Sequence, residues 1–199
     1  MLPLQYSTHN YECGTDEAGR GCLAGPVTAA AVILPPNFKH SFLTDSKKLT
    51  PAQRENLCPI IKQEALAFAI VHVSEQEIDE INILQASLLA MRRAIEQLNI
   101  KPDFIAVDGN KFTPINGIPH QCIVKGDAKF LNIAAASILA KTARDQYMLQ
   151  IHEQAPVYNW AKNKGYPTAE HRAAIRTHGI SAYHRKSFRL LPEQYTLAL

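Results

Sequence analysis

The chain has 199 residues, 46% of them hydrophobic and 20% charged, and a formal net charge of +3. That length and balance describe one soluble globular domain with a substantial core, and the net charge is too small to specify a nucleic-acid partner by itself. No apolar run is long enough to span a bilayer, and no basic region followed by an apolar run opens the sequence, so a cytoplasmic protein with neither signal peptide nor membrane anchor is expected.

In chain order, a short strand over Tyr11–Thr15 leads into Asp16-Glu17-Ala18-Gly19-Arg20-Gly21. Two adjacent carboxylates there are followed by a glycine-flanked arginine, a pairing of cation-binding and anion-binding groups. A solvated turn is the plain alternative. A dinucleotide loop is rejected, because the third glycine of Gly19-Arg20-Gly21-Cys22-Leu23-Ala24-Gly25 falls one residue late and the carboxylates would repel a pyrophosphate. Val27–Leu34 reads as a buried strand stopped by Pro35-Pro36. The loop Thr44–Leu49, with Lys47 and Lys48, reads alone as a solvated turn.

Thr50 as N-cap, Pro51 at the first helical position and Gln53 at the capping-box position start a helix that Pro59 is expected to kink or break. Ala65–Val73 is a strand, and Ser74–Glu77 is a second capping box. Behind it, Leu84, Leu88, Met91, Ile95 and Leu98 form one apolar helical stripe, closed by Asn99 and Pro102. Two short strands follow, Phe104–Val107 ending at Asp108-Gly109 and Gln121–Val124 leading to Lys125-Gly126-Asp127. The connection between them is too long for a two-residue hairpin and about the minimum for a parallel crossover.

Leu131–Gln150, rich in alanine, reads as a helix packed closely on a sheet, with Lys141 and Asp145 paired on its exposed face. Lys164–Pro167 is a turn presenting Tyr166, and a helix over Thr168–His178 ends at Gly179. From Trp160 to Arg189 the residues Lys162, Lys164, Arg172, Arg176, Arg185, Lys186 and Arg189 face one acid, Glu170. Cys13, Cys22, Cys58 and Cys122 lack C-x-x-C spacing and are expected to be reduced thiols rather than zinc or redox sites.

This order gives an α/β or α+β domain with a mixed sheet. Asp16, Asp108 and Asp127 each fall at the carboxyl end of a strand, where ligands gather in open sheets. With Glu17 they form an oxygen-only set suited to Mg²⁺ or Mn²⁺, the chemistry of phosphodiester hydrolysis by two metal ions. Neighbours on a strand point to opposite faces, so Asp16 and Glu17 are expected to share a site only if the chain turns between them. The basic C-terminal third would follow a nucleic-acid backbone. A non-catalytic nucleic-acid-binding module is disfavoured, since unneutralised acids lower affinity for phosphate.

Taken together, Asp16–Gly21 with Leu23–Val27, Asp45-Ser46-Lys47-Lys48-Leu49, Asn82-Ile83-Leu84, Val107-Asp108-Gly109, Val124–Asp127, Ala134–Lys141 with Arg144-Asp145, Lys164–Thr168 with His171, and His184–Phe188 resemble ribonuclease HII, the type 2 ribonuclease H of prokaryotes. The resemblance spans nearly the whole chain in order. It implies a ribonuclease H-like α/β fold, a five-stranded mixed sheet flanked by helices over about residues 1–155, with a basic helical part over about 160–199, in a single catalytic domain expected to be monomeric.

It implies hydrolysis of the RNA strand of RNA/DNA hybrids, and cutting 5′ to single ribonucleotides in duplex DNA to leave 3′-hydroxyl and 5′-phosphate ends. By the same resemblance Asp16, Glu17, Asp108 and Asp127 bind the metal, with Asp145 the other candidate for the fourth position. Gly19, Arg20 and Gly21 sense the ribose 2′-hydroxyl, and Tyr166 meets the RNA–DNA junction. Lys47, Lys48, Arg185 and Lys186 are taken as phosphate contacts. A junction resolvase would share the carboxylates but not the sugar sensor.

Overall fold

The computed structural model describes residues 2–195. Five strands, β1 (Glu12–Ala18), β2 (Val27–Ile33), β3 (Ala67–Val73), β4 (Phe104–Asp108) and β5 (His120–Ile123), form one sheet in the order β3-β2-β1-β4-β5. β2 runs antiparallel to β1 and β3, whereas β1, β4 and β5 run parallel. The sheet is therefore mixed, and the central strand β1 brings its carboxyl end beside that of β4.

Helices cover both faces. α1 (Pro51–Glu64) and α3 (Leu131–Gln154) lie on one, α2 (Glu75–Glu96) on the other, and the short α4 (Trp160–Asn163) and α5 (Ala169–His178) follow α3. Small side chains allow the close approach of α3: Ala134, Ala135, Ala136 and Ala140 are all fully buried with Ala30 and Val32 of β2. On the α2 face, Ala86, Ala90 and Ala94 pack against Val27, Ala29 and Ile105. A third cluster joins Leu23 and Ala24 to Met148, Trp160 and Ile175, so the C-terminal part is built onto the loop after β1. Among the described residues no helix is long and apolar enough to cross a membrane.

Three elements differ from expectation. β1 continues to Ala18, so Asp16 and Glu17 lie within the strand and the chain does not turn between them. α1 runs unbroken through Pro59, because Pro59 and Glu55, whose carbonyl loses its helical donor, are both exposed to water. α2 is interrupted at Asn82, with φ 65° and ψ 162°, and the Asn82 side chain caps the second half by accepting from the amides of Leu84 and Gln85. Leu84 and Leu88 at the start of that half are only part-buried, while Met91 and Ile95 reach the core.

Candidate active site

The parallel register that pairs Thr15 with Val107 sets Asp16 level with Asp108, both on the α3 face. Glu17, the next residue, takes the other face. It borders a cleft on the α2 side with Asp108 and a second cleft with Asp16, so it stands at the rim between them. Asp16 accepts the Glu17 amide at 2.7 Å. Burial, then the charges of Glu17 and Asp108, push its carboxyl well above the usual range. Burial also raises Glu17, against the pull of Arg20, whose guanidinium lies 3.1 Å away.

Asp108 accepts the Gly126 amide at 2.7 Å, which fixes the turn carrying Asp127. Asp127 is buried, and its Oδ2 has no hydrogen-bond partner. Burial, then Asp108 and Asp45, push it up to about 6. Lys47 answers these charges: burial pulls its ammonium down, but Asp127, Asp16, Asp45 and Asp108 outweigh that and hold it above its ordinary value. Asp145, the other candidate, pairs with Lys141 at 2.7 Å and Arg54 at 3.5 Å and is half-buried rather than on an exposed face. Its charge is already met, unlike that of Asp127.

Among the described residues no three Asp, Glu, His or Cys side chains close a ligand set by themselves. Mg²⁺ and Mn²⁺ do not require one, since such ions keep several waters and complete their shell with substrate phosphate. The unpartnered Asp127 oxygen and the carboxyls driven toward protonation fit a divalent cation, and the donors are oxygens only.

Asp16, Gly19–Gly21, Lys47 and Tyr166 line one cleft of about 280 Å³. A turn closed by the Cys22 amide on the Gly19 carbonyl, at 3.4 Å, projects Arg20 and Gly21. Gly19 has φ +94°, and a Cβ there would lie 2.0 Å from Arg144 Nε. Gly21 differs: its φ is ordinary and a Cβ would meet nothing within 4 Å. The fold itself does not demand glycine at 21, and the bare backbone faces open cleft.

Arg185, expected at a phosphate, is instead fully buried. Its guanidinium donates to the carbonyls of Gly25 at 2.9 Å, Arg20 at 2.9 Å and Gly19 at 2.8 Å, which turns it away from any substrate backbone. Lys48 and Lys186 are exposed and lie outside the lining of this cleft.

Tyr166 is 40% exposed, with Lys141 and Arg144 at 5.7 and 6.0 Å from its ring centre. Beneath it, Trp160 Nε1 donates to His171 Nε2 at 3.0 Å, and His184 Nε2 lies 3.2 Å from the same nitrogen. The Ser181 amide donates to His184 Nδ1, so both histidines are neutral and His171 Nδ1–H donates to the Tyr166 carbonyl at 3.0 Å. Burial, then His171, pulls His184 down to about 4. The unfolded chain therefore binds the proton first, and His184 stabilises the fold at neutral pH but not below about 4. Replacing His184 with Gln is expected to flatten the loss of stability between about pH 6.5 and 4 in chemical unfolding; an unchanged slope would remove His184 as its source.

Sequence reasoning missed Asp45, Ser46 and Ser137. Ser137 lies against Asp16 and donates to Ser46 Oγ at 2.9 Å, while Asp45 lies beside Asp127 and accepts the Lys47 amide. Asp45 and Ser46 stand in a segment that turn propensity explains equally well, and Ser137 in an alanine-rich helix, so neither local sequence marks them as site residues.

A family model described as Ribonuclease HII matches residues 13–191. The Ribonuclease HII of Christiangramia forsetii is 61% identical over 189 residues, covering 95% of this chain and 96% of that protein. That of Parabacteroides distasonis is 60% identical over 197 residues, covering 99% of each. Among solved structures, the ribonuclease H2 of Pyrococcus horikoshii aligns with a TM-score of 0.75 at 25% identity, over 90% of this chain and 94% of that one. Bst-RNase HIII in complex with Mn²⁺ aligns at 0.72 and 16% identity, over 94% and 70%, a likeness of fold.

Proposed function

The chain belongs to the ribonuclease HII family and is a ribonuclease H, and from that premise we propose that it hydrolyses the RNA strand of RNA/DNA hybrids and also cuts 5′ to a single ribonucleotide embedded in duplex DNA. The products are 3′-hydroxyl and 5′-phosphate ends. The protein works as one catalytic domain, a monomer, in the cytoplasm. The observation that carries this reading is the shared cleft: carboxylates at two parallel strand ends, a loop with bare backbone at Gly21, and Tyr166 all border one space.

Asp16, Glu17, Asp108 and Asp127 would hold two Mg²⁺ or Mn²⁺ ions, whose chemistry when bound is to supply hydroxide at neutral pH and to stabilise the leaving oxygen. The rest falls to this chain's own groups. Lys47 holds the carboxylates together and meets the incoming phosphate. The Gly19–Gly21 backbone reads the ribose 2′-hydroxyl, the group that separates RNA from DNA. Tyr166 packs on the neighbouring sugar, and Lys48 and Lys186 draw in the phosphate backbone at the exposed rim.

An end-labelled duplex with one ribonucleotide, beside an all-DNA control, tests the proposal in Mg²⁺, Mn²⁺ or chelator. The expected result is a metal-dependent cut 5′ to the ribonucleotide and an intact control. Cutting of both would replace the sugar sensor with a general nuclease, and cutting of neither would remove the activity. Tyr166→Ala is expected to lower kcat/KM by about 10-fold at a lone ribonucleotide, the worth of one aromatic stacking contact, and by less on a continuous hybrid. Equal losses would reduce Tyr166 to a folding or general binding role.

A further inference from the structure

The sugar-reading loop is held from behind by a residue far along the chain. Arg185 Nη2 and Nη1 donate to the carbonyls of Gly19 and Arg20 at 2.8 and 2.9 Å, while Nε donates to Gly25. The guanidinium lies over the Phe188 ring at 5.1 Å, and the Arg185 amide is itself tied to the Leu23 carbonyl at 2.9 Å. One planar fork therefore grips two successive carbonyls of the loop, a geometry that an ammonium cannot reproduce.

A trans peptide unit points its C=O and its N–H in opposite directions. The carbonyl of Gly19 shares a unit with the amide of Arg20, and the carbonyl of Arg20 shares one with the amide of Gly21. Drawing both carbonyls inward to buried Arg185 turns both amides outward. Among the described residues neither amide has an acceptor, and Arg20 and Gly21 are exposed on the cleft. Gly21 adds no side chain to obstruct the approach.

We infer that Arg185 is a positioning residue for sugar discrimination: it fixes the Arg20 and Gly21 amides as paired donors to the 2′-hydroxyl oxygen of the ribonucleotide. The inference rests on the proposed ribonucleotide cleavage and extends it to a residue that touches no substrate.

The test uses the full chain with Mg²⁺, comparing Arg185→Lys and Arg185→Met with the unchanged protein. It measures kcat/KM on a duplex with one ribonucleotide, inhibition by the matching all-DNA duplex, and thermal melting. Displacing the donors is expected to lower kcat/KM about 100-fold, while the Ki of the all-DNA duplex stays within about twofold. Arg185→Lys, which keeps the charge and the stem, is not expected to restore the rate. Should Arg185→Met fail to fold, Arg185→Lys alone carries the comparison.

Unchanged turnover per folded molecule overturns the inference. So does a Ki that rises in step with the loss of turnover, which marks a phosphate contact or a general brace. If the unchanged protein cuts both duplexes alike, or neither, the reading of the cleft fails first, and that is seen before any variant is made.

Discussion

Asp16→Asn is expected to abolish most of the activity and at the same time to make the metal-free protein more stable. Asparagine keeps the oxygen that accepts the Glu17 amide and a polar group for Ser137, so the local structure is retained. What is lost is the charge. In the family reading that charge serves the reacting phosphate, and removing one electrostatic element of such a site costs about 10²–10³ in kcat. KM for the hybrid is expected to change little, because in the proposed reading the phosphate contacts fall to lysines that this substitution leaves in place.

The gain in stability has the same origin. Burial and two neighbouring carboxylates raise the Asp16 carboxyl, so the folded protein takes up a proton that the unfolded chain releases. The protonated form stabilises the fold at low pH, and that contribution disappears as pH rises through the raised value. The asparagine variant shows no such loss, so its advantage is greatest at high pH and vanishes near the ordinary value of 3.8. Single-turnover rates with Mg²⁺, and melting in chelator at several pH values, check both halves. Near-normal turnover would sink the metal role, and a melting temperature below that of the unchanged protein at pH 8 would sink the electrostatic account.

The second large effect is on stability. Arg144 is fully buried in α3 and donates to the carbonyls of Pro26 at 3.0 Å, Lys164 at 2.9 Å and Ala24 at 3.1 Å. It thereby joins the turn before β2 to the turn that presents Tyr166. Arg144→Met fills much of the same volume but leaves three carbonyls without this donor. At about 1–3 kcal/mol for each buried group left unsatisfied, partly relieved by relaxation, the fold loses about 3–5 kcal/mol. For a chain of this length that lowers the melting temperature by about 10 °C. Urea unfolding monitored by circular dichroism measures it, and a shift under about 1 kcal/mol would show that the carbonyls find other donors.

Local chemistry is legible in the sequence wherever one short segment decides the outcome. Both capping boxes form as written, Thr50 with Gln53 and Ser74 with Glu77, because each needs only four consecutive residues. Pro59 and Asn82 defeat a local reading for complementary reasons. In α1 the proline is tolerated because the affected backbone faces water, whereas α2 breaks at Asn82, whose side chain rewards the break by capping the next turn. The strand-end carboxylates are visible as residue types, but not the way Glu17 reaches the rim from the opposite face. Arg185 is hidden among surface-like charges, since nothing local distinguishes a solvated arginine from one that is buried against distant carbonyls. Asp45 is masked by the turn propensity of its neighbours.

The hydrogen bonds of Arg185 also set an order of assembly. β1 gains its parallel partner β4 only after about 90 intervening residues, and the loop that follows β1 is gripped by a side chain 166 positions beyond Gly19. Contacts of such sequence separation form late in folding. A nascent chain that has already made β1, β2, β3 and α2 lacks Asp108 and Asp127, and one that has completed the sheet still lacks the grip on its loop. The loop after β1 is therefore the last part of the cleft to be fixed, because the last tenth of the chain supplies the side chain that holds it.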